Sequence, residues 1–312
     1  MNQNLSPVYA GLDIAKDHLQ LLLQGRSYQL RNTGAGHLQL LKSLRSVAGV
    51  HVICEATGGY ERAVVAALHA AAIPVSVINP ARVRQFARAS GEQAKTDPID
   101  AATLTAFGHT FAPEPTPPRT AVQIKLAALV SRRLQLLDLR VAEAQRAELC
   151  GEPSLRKHFL NWLRQLDRQI LQIEALIERL LLKQGPLAAQ VERLDQITGV
   201  GRITAVSVLA QMPELGRLNR RQAAALAGLA PFNRESGKWT GKRFIRGGRA
   251  QLRRALYMAA LAASRSNHLL KPFYQRLVAA GKPAKLALTA VMRKLLVLMN
   301  HLLKNPNFSL AH

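Results

Sequence analysis

Asp13, Glu55, Asp97 and Asp100 are the residues of this 312-residue chain best placed to do chemistry. Asp13 closes the apolar run Val8-Tyr9-Ala10-Gly11-Leu12, and Glu55 closes Val50-His51-Val52-Ile53-Cys54. Asp97 and Asp100 stand three apart at the start of a helical stretch and so share a face. A set of carboxylates with no thiol or imidazole among them suits Mg2+ or Mn2+ rather than zinc or copper. Two such ions about 4 Å apart activate an attacking oxygen and stabilise a leaving oxygen in phosphodiester cleavage. Each acid alone reads better as an ordinary loop residue or, for Asp97, a helix cap. Four in this order, with Gly11 before Asp13 and Gly58-Gly59 after Glu55, read as a metal site. Asp17 and Glu61 read as solvated neighbours, and Lys16 and Lys95 as phosphate contacts or plain surface lysines.

The elements that must position these acids follow from the pattern around them. Strands are expected at 8–14, 18–24 and 27–31, the last two joined by the turn Gln24-Gly25-Arg26. A helix over 36–46, the strand ending at Glu55, a helix over 60–72 and a strand over 74–78 come next. Three strands in meander followed by alternating helix and strand give a mixed sheet with helices on its faces. Arg82, Arg84 and Arg88 share a short basic helix, and Thr96 is placed to cap a helix starting Asp97-Pro98. Four prolines between Pro113 and Pro118 form a stiff linker. Beyond it Phe159, Leu163, Leu166, Ile170, Ile173, Ile177 and Leu180 alternate spacings of four and three, a heptad seam. With a helix over 120–149 and the break Gly151-Glu152-Pro153, the seam predicts an antiparallel helical hairpin that pairs within the chain or with another subunit. The expected domains are 1–112, 113–185 and 186–312, the last all-helical.

Lys and Arg number 43 against 19 Asp and Glu, a net charge of +24. The last third, 193–312, holds 21 of the basic residues and 3 of the acids. A polyanion, and nucleic acid first, is the partner this implies. Two cysteines, Cys54 and Cys150, exclude a disulfide framework or zinc site. The N-terminus lacks a signal layout, and no uninterrupted apolar stretch spans a membrane, so a cytoplasmic protein is expected.

Two segments of the basic third could meet nucleic acid. Ile197-Thr198-Gly199-Val200-Gly201-Arg202 has the layout of a helix-hairpin-helix, whose exposed N–H groups suit a phosphate, although a lone Gly-x-Gly is a weak signal. Between Pro231 and Arg254, Arg234, Lys238, Lys242, Arg243, Arg246, Arg249, Arg253 and Arg254 face one acid, Glu235. Trp239 and Phe244 interleave with these charges as stacking platforms. Ser236 lies in this loop. On the residues alone it reads as a turn residue of a phosphate-binding loop, although arginines and a metal would make it a competent nucleophile.

Gly-Leu-Asp13-Ile-Ala-Lys, Glu55-Ala-Thr-Gly-Gly-Tyr, Lys-Thr-Asp97-Pro-Ile-Asp100-Ala, the Gly-Val-Gly segment and Arg-Glu-Ser236-Gly resemble, in order and over nearly the whole chain, the DEDD-type insertion-sequence transposases. These are bridge-RNA-guided recombinases. The resemblance implies an RNase H fold of RuvC type for the first domain, a coiled-coil hairpin, and a helical transposase domain. It implies Mg2+ held by Asp13, Glu55, Asp97 and Asp100, and it makes Ser236 a nucleophile that forms a phosphoserine link with DNA. Ser207, Ser264 and Ser266 lack the glycine-flanked basic loop. It further implies donor and target DNA, a noncoding guide RNA, and a dimer or tetramer with composite active sites. Competing readings are a RuvC-type nuclease using water, a non-catalytic nucleic-acid binder, and a sugar-kinase-like ATPase. The last needs a downstream Asp-x-Gly loop that the chain lacks.

Overall fold

The computed structural model describes residues 7–92, 96–232, 235–236, 239–241 and 243–309, with backbone only at 235, 236, 239 and 240. The chain divides into two compact units, 1–119 and 120–312.

Unit 1 is built on β1 (Val8–Ile14), β2 (His18–Leu23), β3 (Arg26–Arg31), α1 (Gly34–Arg45), β4 (Val50–Glu55), α2 (Glu61–Ala70), β5 (Val75–Ile78), α3 (Pro80–Ala89) and α4 (Asp97–Phe111). The strands form one mixed sheet in the order β3-β2-β1-β4-β5. β1 runs antiparallel to β2 and parallel to β4, and β5 is parallel to β4. This mixed sheet with flanking helices is compatible with an RNase H-like domain. Gln24 and Gly25 both take positive φ, which gives the tight two-residue turn between β2 and β3.

Period-two alternation divides the sheet into two faces. Ala10, Leu12 and Ile14 join Val52, Cys54, Leu40, Leu44, Val64 and Leu68 in one core. Tyr9 and Ile53 point the other way, to Leu104 and Phe107 of α4. Full burial of Phe107 alone contributes roughly 2–3 kcal/mol. α3 packs beside α4 through Phe86 against Phe107 and Phe111, and Arg82 stacks over the Phe107 ring at 5.3 Å. Thr96 holds the N-cap position of α4, but its hydroxyl caps nothing. Its carbonyl accepts from Asp100 N instead.

The proline run, expected as a stiff linker, is tied to β5. Thr116 N donates to Val75 O at 2.8 Å, and Thr116 Oγ accepts from Val77 N at 3.0 Å. Ser76 Oγ donates to Glu114 O at 2.7 Å, and His69 Nε2 donates to Thr116 O at 2.9 Å. The run thus covers the outer edge of β5, which would otherwise expose unpaired backbone groups.

Unit 2 comprises α5 (Ala121–Leu149), α6 (Pro153–Leu182), α7 (Gly185–Asp195), α8 (Arg202–Gln211), α9 (Arg220–Leu226), four two-residue strands, α10 (Ala250–Ser266), α11 (Leu270–Ala279) and α12 (Ala284–Lys304). Thr120 and Gln123 form a reciprocal capping box that starts α5. α5 and α6 pack as a hairpin. Leu166, Ile170, Ile177 and Leu180 of the seam are buried, while Phe159, Leu163 and Ile173 are half-buried. Leu136 packs with Leu166 and Ile170. Arg133 bridges Glu174 at 2.7 Å, and Arg140 bridges Asp167. At the root of the hairpin, Leu126, Val130, Ile177 and Leu181 enter the main core with α8, α10 and α12. α12 is the one helix among the described residues long and apolar enough to cross a membrane, despite Arg293 and Lys294 within it. Its Val291, Leu295 and Met299 are buried in that core.

Candidate active site

The sheet register decides where the first two acids stand. Leu12 of β1 lies beside Cys54 of the parallel strand β4. Asp13 and Glu55 are therefore the next pair along, on neighbouring strands about 4.8 Å apart. Both share parity with Gly11 and Ile53, so they belong to the face that α4 covers. Both are half-buried.

α4 crosses β1 at Gly11 with no room for a side chain. A Cβ there would meet Ala101 O at 1.9 Å and Thr105 Oγ1 at 2.6 Å. The close approach lets Gly11 N donate to Thr105 Oγ1 at 2.8 Å. Asp100 immediately precedes this crossing, and Asp97 lies one turn earlier. Asp97 Oδ2 meets His18 Nε2 at 2.8 Å, and His18 is the first residue of β2, beside the end of β1. Strands and helix thus bring all four sequence-predicted acids to one end of one face. Their side chains do not converge on a single point: among the described residues, no group of three or more His, Cys, Asp or Glu is set closely enough to hold a metal ion. The donor chemistry, oxygen only, fits a hard divalent cation.

The loops around these acids are tied together by residues that local pattern does not single out. Asn32 Nδ2 donates to Ala15 O at 2.9 Å and to Tyr60 O at 3.3 Å, linking the loop after Asp13 to the loop after Glu55. Its Oδ1 bonds His37 Nε2 at 2.8 Å. Glu61 corrects its reading as a merely solvated neighbour. Its Oε2 accepts from Thr57 N and Thr57 Oγ1 at 3.1 Å each and from Gly59 N at 2.8 Å. Burial alone would raise its pKa. The hydrogen bonds from the N–H groups of Glu61, Gly59 and Thr57 and from the Thr57 hydroxyl outweigh that and hold the carboxyl below its ordinary value. Asp17 and Lys16 are exposed, and Lys95 lies outside the described residues.

In unit 2 the serine segment is a nested ribbon. β6 (Pro231–Phe232) pairs with β9 (Phe244–Ile245), and inside it β7 (Glu235–Ser236) pairs with β8 (Trp239–Thr240). Ser236 stands opposite Trp239 in the backbone register. Arg234, Lys238 and Lys242 lie outside the described residues. Phe232, Arg243, Phe244 and Arg246 are exposed, and Arg246 stacks over Phe232 at 4.9 Å.

The expectation of eight basic residues facing a single acid is corrected at the base of this ribbon. Arg249 forms a fork on Glu214 at 2.8 and 2.7 Å and donates to Gln211 O. Arg253 donates to Gly247 O and Ala227 O, and Arg254 pairs with Asp138 of α5. These three guanidinium groups hold the fold together. The acids they meet lie 35 and 116 residues away, beyond any local count of charge.

The Gly-Val-Gly turn joins α7 to α8. Gly199 takes φ +99°, and a Cβ there would meet Ala263 N of α10 at 2.6 Å, so this glycine serves packing. Gly201 is exposed, with open space around it and no side chain capping the start of α8. Arg202 is engaged by Glu178 of α6 in three hydrogen bonds of 3.0–3.1 Å.

Two family models match the chain. The DEDD transposase domain of the IS110 type covers residues 10–149, and the transposase domain described as the IS116/IS110/IS902 family covers 191–275. The chain belongs to the IS110-type transposases. Similar proteins include the pilin gene-inverting proteins of Moraxella lacunata and Moraxella bovis. Each is 28% identical over 313 residues, covering 94% of this chain and 95% of the relative. This IS110-type transposase is a DNA recombinase. Its DEDD domain implies dependence on a divalent metal.

Proposed function

We propose that this transposase cuts and exchanges the DNA strands of an insertion sequence through Ser236, assisted by Asp13, Glu55, Asp97 and Asp100. The observation that carries this reading is the register that sets Asp13 beside Glu55 on the face covered by α4, whose first turn bears the other two acids. Unit 1 in this reading is an RNase H fold of RuvC type. Residues 1–112, 113–185 and 186–312 act as catalytic domain, coiled-coil hairpin and transposase domain.

The four carboxylates hold Mg2+ or Mn2+, which supplies charge neutralisation at the phosphoryl oxygens when bound. Asp13 and Glu55 would present oxygen donors from the strand ends, and Asp97 and Asp100 would complete the set from the first turn of α4. The Ser236 oxygen attacks the scissile phosphorus. A serine–phosphorus bond forms as the bond from phosphorus to a deoxyribose oxygen breaks. The serine proton ends on the departing deoxyribose oxygen, directly or through water. Attack by the hydroxyl of a second strand reverses these changes and joins it to the phosphate. Arg243 and Arg246, with the exposed backbone at Gly201, bear on the DNA backbone. Arg234, Lys238 and Lys242 extend the same charge, and Trp239 stacks on a base.

The further expectations are a bridge RNA pairing with donor and target DNA, a dimer or tetramer with composite active sites, and action in the cytoplasm.

Incubation of the full chain and its guide RNA with end-labelled donor DNA and Mg2+, followed by denaturing electrophoresis, tests the serine step. A DNA–protein adduct mapping to Ser236 and absent from Ser236→Ala is the expected result. Strand exchange at the wild-type rate by Ser236→Ala would overturn the reading in favour of water as nucleophile.

A further inference from the structure

We propose that His18 is a positioning residue for the metal site: it fixes Asp97 through Oδ2 and leaves Oδ1 to the cation. The inference rests on the carboxylate reading above and adds a residue that the four-acid pattern does not contain.

The geometry has three parts. First, His18 is itself firmly placed. Its carbonyl accepts from Ala15 N at 2.9 Å, and the turn it follows is held by Asn32, which donates to Ala15 O at 2.9 Å and Asp17 O at 3.0 Å. His18 opens β2, and its backbone is paired with Arg31 of β3. A side chain on so fixed a backbone is suited to hold another group in place.

Second, α4 is packed firmly on the sheet, and His18 ties its first turn to β2. Gly11 and Thr105 fix the middle of the helix against β1. The His18–Asp97 bond at 2.8 Å adds a tie between the first turn of α4 and the start of β2.

Third, the bond uses one oxygen of Asp97 and spares the other. A carboxylate only accepts hydrogen bonds, so His18 Nε2 carries the proton in this contact. Asp97 does not cap its own helix, and Oδ1 has no hydrogen-bond partner among the described residues. One oxygen held by a neighbouring donor and one left over is the arrangement that outer residues impose on metal-binding carboxylates. Their loss typically costs ten- to a hundred-fold in metal affinity.

The opposite role is chemically conceivable from the same contact. His18 would then be a latch, holding Asp97 away from the metal. The two roles differ in sign, so one titration separates them.

The test is calorimetric titration of Mn2+ into the full chain without DNA, comparing wild type, His18→Ala, His18→Gln, Asp97→Asn and Asp13→Asn. Far-UV circular dichroism and a melting curve confirm the fold of each. The proposal expects His18→Ala to weaken Mn2+ binding about ten-fold. It expects His18→Gln, whose amide keeps an N–H donor, to stay within about three-fold of wild type. In cleavage assays the Mg2+ concentration for half-maximal rate should rise for His18→Ala, while the rate at saturating Mg2+ changes little. Unchanged or tighter Mn2+ binding in His18→Ala, with binding lost in Asp13→Asn, overturns the positioning role and leaves the carboxylate site standing. Unchanged binding in Asp13→Asn as well overturns the carboxylate reading and this inference with it.

Discussion

The carboxylate end of the sheet and the serine ribbon are held in opposite ways. Asp13 and Glu55 end two strands embedded in a five-stranded sheet, and the covering helix is pressed so close that Gly11 admits no side chain. Ser236 sits in a ribbon of two-residue strands whose outer residues, Phe232, Phe244 and Ile245, are exposed. The ribbon is secured at its base by Arg249 and Arg253. Backbone pairing and core packing therefore preset the acids, whereas the foot of the serine ribbon is held by one distant ion pair and by hydrogen bonds to carbonyls. Part of the positive charge in unit 2 is engaged by acids and backbone carbonyls, and in the proposed function the remainder faces DNA.

The largest effect is expected at the acids. Asp13→Asn should lower strand cleavage by about 1,000-fold or more, because a ligand acting as part of a unit is not replaced by its neighbours. The melting temperature should hold. Cleavage within ten-fold of wild type would mean that the sheet end is not the catalytic edge.

Gly11→Ala tests the rigidity of the same region. The added methyl must displace the Ala101 carbonyl, so chemical denaturation should show a loss of about 3 kcal/mol. A neutral result would show that α4 can shift and that the acids are less firmly preset than the sheet implies.

A pair of arginines sharpens the view of the ribbon. Arg249→Ala removes a fork whose partners are each about a third exposed, and should reduce stability by about 2 kcal/mol. Arg246→Ala should change stability by less than about 0.5 kcal/mol. It should instead reduce the slope of log binding constant against log salt by about 1 for a DNA duplex. Interchanged results would undo the division between structural and DNA-facing charge.

The smallest effect is expected at Glu61. Its pKa is lowered in the folded chain, so its contribution to stability is fully present above the ordinary carboxylate value of about 4.3. That contribution is lost as pH falls through the lower folded value. Melting curves of Glu61→Gln should show a shallower fall in stability below about pH 4.3 than wild type. An identical pH profile would remove Glu61 from the support of the loop after Glu55.

Much of this was legible in the sequence where local pattern carries the information. The apolar runs ending at Asp13 and Glu55 gave strands with those bounds, and Pro98 after Asp97 marked the start of α4. The heptad seam gave the hairpin helices. What pattern could not supply was partnership between distant residues. His18 and Asp97 are 79 positions apart, and Arg249 meets an acid outside its own loop. Arg202 read as part of a nucleic-acid-binding turn; Glu178 sits on a different helix and lies outside that local pattern. Asn32 carries no motif, yet it links two loops through its side chain.

The most direct test of the central claim is anomalous scattering from crystals of the full chain grown with Mn2+. A peak is expected at the end of β1 and β4, contacted by the carboxylates of Asp13, Glu55, Asp97 and Asp100. Saturating Mn2+ with no peak at those four residues, or a peak bound elsewhere in the chain, would contradict it.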